Sequence, residues 1–240
     1  MSKSATHREF KDRLYGQYAV IGKAIANPRR LEIIELLAQS ERTVESLAEE
    51  TATSLANVSQ HLQGMRQARL LESRKQGLNV YYRLADPNVF VLSIAIRKVA
   101  EQRLAELDRL VHDHFSDRSK SKAVPMADLL KLSRSGKATI LDTRPENEYL
   151  SGHIAGAISA PAEEFRRHLK KLPKDKEYVA YCRGPYCIYA DQAIEILRST
   201  GRKAKRLEAG FPEWRAAGFP IATGLILKPT AKVGLKGGSK

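Results

Sequence analysis

The segment His112-Asp-His-Phe-Ser-Asp-Arg-Ser-Lys-Ser-Lys-Ala123 divides the chain into two stretches whose apolar residues repeat with different periods. Upstream, spacings of three and four prevail, as on amphipathic helices; downstream, short apolar runs alternate with helical stretches. A polar, Ser/Lys-rich break between such patterns reads as a linker, and 240 residues exceed the ~100–200 of one typical domain. Two domains are therefore expected, over residues 1–115 and 124–223, joined by 116–123, with a basic, non-periodic tail at 224–240 expected to lack fixed structure. No apolar run approaches the ~18–20 residues that cross a bilayer, and Met1–Phe10 has no apolar signal core. The expected compartment is the cytoplasm, with no membrane partner.

In the first stretch Phe10, Leu14, Tyr18, Ile21 and Ile25 share one helical face. A second helix opens at Asn27-Pro28, where Asn27 can cap free amides and Pro28 suits the first helical position. A short helix follows Thr43, and another follows Thr53-Ser54 with Val58, Leu62 and Met65 inward. Two extended runs, Leu71–Arg74 and Val80–Leu84, flank Gln76–Asn79 as in a hairpin, and one long helix is expected from about Asn88 to His112. This order is that of a mainly-α winged helix-turn-helix module. With Val58 and Leu62 inward, Ala56, Asn57, Ser59, Gln60 and Gln63 turn outward on a polar, uncharged face suited to base edges, while Arg74 and Lys75 suit phosphate or the minor groove. Net charge does not mark this half as the DNA-binding one. Of the formal +14, residues 1–117 carry +2 and residues 118–240 carry +12.

Ala26-Asn-Pro-Arg-Arg-Leu-Glu-Ile-Ile-Glu-Leu-Leu37, Val58-Ser-Gln-His-Leu62, Ala68-Arg-Leu-Leu71 and Val80-Tyr-Tyr-Arg-Leu84 occur in one register, and over about residues 10–110 the chain resembles the ArsR-type bacterial repressors. The resemblance implies a homodimer on a double-stranded DNA operator, with the helix after the turn in the major groove and the first and last helices joining the subunits. Members of that family often sense metals, but residues 43–51 contain no thiol, and Asp108, His112 and His114 fit the last-helix metal pattern poorly. No metal site and no cofactor are expected.

In the second stretch Ala138–Leu141, Glu177–Cys182 and Ala204–Leu207 read as strands, with helices at Pro161–Leu169 and Ala190–Ser199, which is the pattern of an α/β domain with a parallel sheet. Ligands in such sheets sit at the carboxyl ends of strands, where Cys182 falls, followed by Arg183-Gly184-Pro185-Tyr186-Cys187 leading into a helix. Backbone amides converging from such a loop, the helix N-terminus and the Arg183 charge favour a thiolate over the ordinary thiol of pKa ~8.5.

The motifs Leu141-Asp-Thr-Arg-Pro-Glu-Asn-Glu-Tyr-Leu-Ser-Gly-His-Ile-Ala-Gly-Ala-Ile158, Tyr181-Cys-Arg-Gly-Pro-Tyr-Cys187 and Leu207-Glu-Ala-Gly-Phe-Pro-Glu-Trp-Arg-Ala-Ala-Gly-Phe-Pro-Ile221 resemble those of a rhodanese domain from about Met126 to Ile221. The resemblance implies that Cys182 accepts a sulfane sulfur as a persulfide and passes it to a thiol, within an active loop comprising Arg183, Gly184, Tyr186 and Cys187. Asp142 and Arg144 would lie beside that loop, Asp142 structurally and Arg144 either there or in a surface ion pair. Trp214 and Phe211 read as core. Two departures bear on chemistry: Cys187 stands where many single-domain rhodaneses have a basic residue, and Ile188 stands where a phosphatase-like loop needs arginine, which argues against phosphoryl or arsenate chemistry. The spacing leaves open whether Cys187 meets Cys182.

The residues support a transcriptional regulator whose reactive cysteine senses or transfers sulfane sulfur. They also leave open a sulfurtransferase that uses the winged module to dimerise or localise, and an interaction module with a silent cysteine. For the regulator, the last helix and Ser116–Lys122 are the expected route between the two sites.

Overall fold

The computed structural model describes residues 3–115 and 123–224. The linker expected at 116–123, apart from Ala123, and the tail beyond Gly224 lie outside the described residues.

The first stretch folds as α1 (Lys3–Ile25), α2 (Pro28–Gln39), α3 (Val44–Glu50), α4 (Leu55–Gln67), β1 (Leu71–Gln76), β2 (Asn79–Leu84), α5 (Pro87–Arg103) and α6 (Ala105–His114). Local chemistry sets the starts of the helices. Asn27 accepts from the amides of Arg29 and Arg30, Thr43 from Ser46, Ser54 from Asn57 and Asp86 from Asn88, each satisfying an amide that has no partner within its helix. Ile33, Ile34, Leu37, Leu47, Val58, Leu62, Met65, Leu71 and Phe90 form the shared core. The hairpin is longer than expected, pairing Leu71 with Leu84 through Gln76 with Asn79 around Gly77-Leu78, and Gly77 takes the left-handed φ of 61° that the turn requires. The single helix expected over 88–112 is broken. Leu104 adopts an extended conformation (φ −109°, ψ 98°), and the redirected α6 ends where Phe115 stacks on Tyr186 of the second stretch. The expected inward face of α1 is covered only toward its C-terminal end: Ile25 is buried, whereas Phe10 and Tyr18 are exposed.

The second stretch folds as α7 (Met126–Arg134), β3 (Ala138–Asp142), α8 (Glu146–Ser151), β4 (His153–Ile154), β5 (Ile158–Ser159), a 3-10 turn at Ala162–Glu164, α9 (Phe165–Leu169), β6 (Glu177–Tyr181), α10 (Tyr189–Ser199), β7 (Lys203–Arg206), α11 (Phe211–Ala216) and β8 (Ile221–Ala222). Its sheet is parallel, in the order β5-β3-β6-β7, with β4 and β8 paired antiparallel beside it. The short strands β4, β5 and β8 went unread in the sequence because two residues cannot display a period. Burial on both faces explains the near-continuous apolar runs. Val179 and Tyr181 of β6 face Ile140, Leu207, Phe211 and Trp214, while Tyr178, Ala180 and Cys182 face Phe165, Ala193 and Leu197. This alternation puts Cys182 at the end of the central strand, on the α10 side.

Candidate functional site

Cys182 is 1% exposed and packs with Ala190 and Ala193, whereas Cys187 is half-buried ahead of α10. The two sulfurs are joined in a disulfide, with Cα atoms 6.2 Å apart, so the loop does bring Cys187 to Cys182. Within the loop the Cys187 amide donates to the Gly184 carbonyl (3.3 Å), and the Cys182 carbonyl accepts from the Phe211 amide (3.1 Å). Gly210 presses directly on this loop. A Cβ there would lie 2.4 Å from the Arg183 carbonyl and 2.5 Å from the Gly184 nitrogen, which leaves room for glycine alone.

Beneath the loop, Asp142 accepts from Arg144 Nε (3.0 Å) and Nη2 (2.7 Å) and from the Tyr181 hydroxyl. Arg144 is fully buried, not in a surface ion pair; it also donates to the Gly152 carbonyl (2.6 Å) and lies over the Phe211 ring (4.3 Å). Burial opposes its charge, but Asp142 holds the guanidinium above its ordinary pKa. Burial, and then Asp142, push the Tyr181 phenol well up.

Arg183 does not direct its charge at the cysteine alone, as the sequence suggested. Its guanidinium donates to Glu148 (Nε, 2.8 Å) and pairs with Glu50 (2.6 Å), because a partly buried cation is stabilised by carboxylates within reach. Glu50 belongs to α3, and the site continues into the first stretch. Gln39 at the end of α2 donates to the Arg183 carbonyl (2.9 Å) and accepts from Arg144 Nη1 (3.0 Å). Buried Arg42 bridges Glu50 and Glu148. Around these, Arg97 pairs with Glu213 (2.8 Å), Tyr186 donates to Glu101 (2.6 Å) and Arg215 donates to the Ala38 carbonyl (2.6 Å). The two stretches therefore meet across the sulfur loop, and α2, α3 and α5 form its outer wall. Sequence reading missed Gln39, Arg42, Glu50 and Glu148. A glutamine closing the apolar run Leu36-Leu37-Ala38 was the one available signal, and it names no partner.

A cleft of about 380 Å³, lined by neither cysteine, is bounded by Thr143, Tyr189, His168 and the carboxylates Glu146, Glu163 and Glu164. Among the described residues no group of three or more His, Cys, Asp or Glu is gathered as a metal ion needs.

On α4, Ala56, Asn57, Gln60 and Gln63 are exposed and Ser59 is half-buried. Lys75 is exposed near the hairpin tip, while Arg74 is engaged by Glu41 (2.7 Å), Gln76 (2.6 Å) and the Tyr81 ring.

Residues 27–73 match the bacterial regulatory protein, arsR family, and residues 126–217 match the rhodanese-like domain. The HTH-type transcriptional regulator Rv0324 of Mycobacterium tuberculosis is 42% identical over 214 residues, which span 89% of this chain and 94% of that one. The chain belongs to the ArsR-family transcriptional regulators that carry a C-terminal rhodanese-like domain. Each half also has solved counterparts. The homodimeric winged helix-turn-helix DNA-binding domain of Mb0332 from Mycobacterium bovis is 42% identical, covering 40% of this chain and 89% of that chain (TM-score 0.38). A rhodanese-related protein from Thermoplasma volcanium is 30% identical, covering 42% of this chain and 97% of that one (TM-score 0.38). In this regulator the winged and rhodanese-like parts are in direct contact through residues far outside the 116–122 linker. Gln39 and Glu50 reach the loop themselves, whereas the sequence pointed to the last helix and Ser116–Lys122 as the connection between the two parts. Among the described residues no helix is long and apolar enough to cross a membrane.

Proposed function

We propose that this regulator binds operator DNA as a homodimer and that its Cys182–Cys187 pair reads sulfane sulfur. The observation that carries the reading is the disulfide inside a strand-to-helix loop, held against the winged module. Starting from the dithiol, the Cys182 thiolate attacks the outer sulfur of a hydropersulfide RSSH, giving Cys182–S–SH and RS⁻. The Cys187 thiolate then attacks Cys182 Sγ and expels HS⁻, which leaves the protein disulfide. The sulfane sulfur is reduced to hydrosulfide while the two protein thiols are oxidised, and an external thiol resets the pair.

Burial of Cys182 beneath a loop walled by α2 favours sensing over transfer to a bulky acceptor, the sulfurtransferase reading. For DNA, support comes from the exposed amides of Asn57, Gln60 and Gln63 on α4. For the dimer it comes from apolar side chains left uncovered in one chain, among them Phe10 (58% exposed), Tyr18 (61%) and Leu110 (67%) on α1 and α6.

The test is duplex selection from a random pool, followed by binding titrations of the full chain with and without inorganic polysulfide. Mass spectrometry should find one added sulfur, or the disulfide, in wild type and neither in Cys182→Ser, with operator affinity changing only in wild type. Sulfur found only on Cys187, or equal affinity once Cys182 is modified, overturns the reading.

A further inference from the structure

We infer that Gln39 and Glu50, on the winged module, are positioning residues for the sulfur loop and set how firmly the Cys182–Cys187 disulfide is held. The inference deepens the proposed function and rests on the pair being reversible.

Residues 183 and 184 meet neighbours on two sides. The Gly210 backbone closes one side, and on the other a Cβ at Gly184 would lie 2.9 Å from Glu35 Oε1 of α2. Cys182 has little freedom: it continues from β6, which is paired with both β3 and β7, and its carbonyl is tied to Phe211. Opening the disulfide separates the sulfurs to a non-bonded distance, and with Cys182 fixed the adjustment falls on the Cys187 side chain and on residues 183–187 that carry it. Two of the contacts that oppose this change come from the other domain. Gln39 is buried, and its orientation is fixed because its oxygen accepts from Arg144, which Asp142 holds; its amide nitrogen therefore faces the Arg183 carbonyl. Glu50 holds the Arg183 guanidinium and is itself held by Arg42. Both contacts are made in the disulfide form, and each that weakens on opening biases the pair toward that form.

The experiment is a redox titration of the full chain in dithiothreitol buffers, with free thiols trapped by a maleimide and counted by mass. Reduction moves two electrons and two protons to Cys182 and Cys187, and dithiothreitol becomes its cyclic disulfide. The proteins compared are wild type, Gln39→Glu, Glu50→Gln and the exposed control Glu49→Gln. Gln39→Glu keeps an acceptor for Arg144 but cannot donate to Arg183. Both loop-facing variants should open about tenfold more readily, a midpoint about 30 mV more positive, with the control at the wild-type value. With both redox forms folded, which circular dichroism checks, a midpoint potential reports the loop, and a general loss of stability does not move it. A reversible pair with one midpoint in all four proteins overturns this inference and leaves the proposed function standing. A pair that does not close in oxidising buffer removes both.

Discussion

Arg42 of the winged module and Glu148 of the rhodanese-like part form an ion pair in which both side chains are buried, at 4% and 0% exposure, although they stand 106 positions apart. Glu148 also receives Arg183, so one carboxylate serves two guanidinium groups from different domains. Removing one partner of a buried pair typically costs about 3–5 kcal/mol, since the other charge stays desolvated. Glu148→Ala is expected to lower unfolding free energy by about that amount in urea titrations, and Glu148→Gln by less.

Gly210 makes the sulfur loop possible by having no side chain. Gly210→Ala would drive a methyl into the backbone at Arg183 and Gly184. Peptide mapping after polysulfide treatment is expected to show sulfur uptake at Cys182 and disulfide yield both falling severalfold.

The Tyr186 phenol is pushed up to about 12, by burial first and then by its hydrogen bond to Glu101. An acid whose folded pKa lies above its unfolded value of ~10 supports the folded state below pH ~10 and loses that support as pH rises toward 12. Ultraviolet titration of wild type against Tyr186→Phe should place this phenol in that window, and Glu101→Gln should move it down toward 10.

On the DNA face, Gln60→Ala and Asn57→Ala are expected to cost about 1–3 kcal/mol each and to relax sequence preference. Lys75→Ala should weaken all sequences alike and lessen the salt dependence. Arg74→Ala should do so less, because Arg74 must first leave Glu41. Anisotropy titrations on selected and scrambled duplexes at two salt concentrations separate these outcomes.

The contact between loop and winged module also predicts how a sulfur signal travels. Lengthening 116–122 by a Gly/Ser insert should leave the polysulfide response of DNA binding in place, whereas Gln39→Glu should reduce it. The reverse result would return the route to the linker.

Much of this regulator was legible along the chain because the features concerned are local. Helix starts follow from Asn27, Thr43 and Ser54, whose side chains meet amides two or three residues on. The strands β3 and β6 follow from apolar runs, and the place of Cys182 follows from the strand that ends beside it. Tertiary structure alone decided the rest. Gln39, Arg42 and Glu50 drew no reading at all and Arg183 read only as a charge for the cysteine, since none carries a periodic mark of a partner about a hundred positions away. Likewise, nothing local announces the break at Leu104 or the burial of Arg144. Periodicity records which face of an element is buried, but it does not record which element covers that face. In this chain the winged module covers the sulfur loop, and the partners of its buried charges come from both domains.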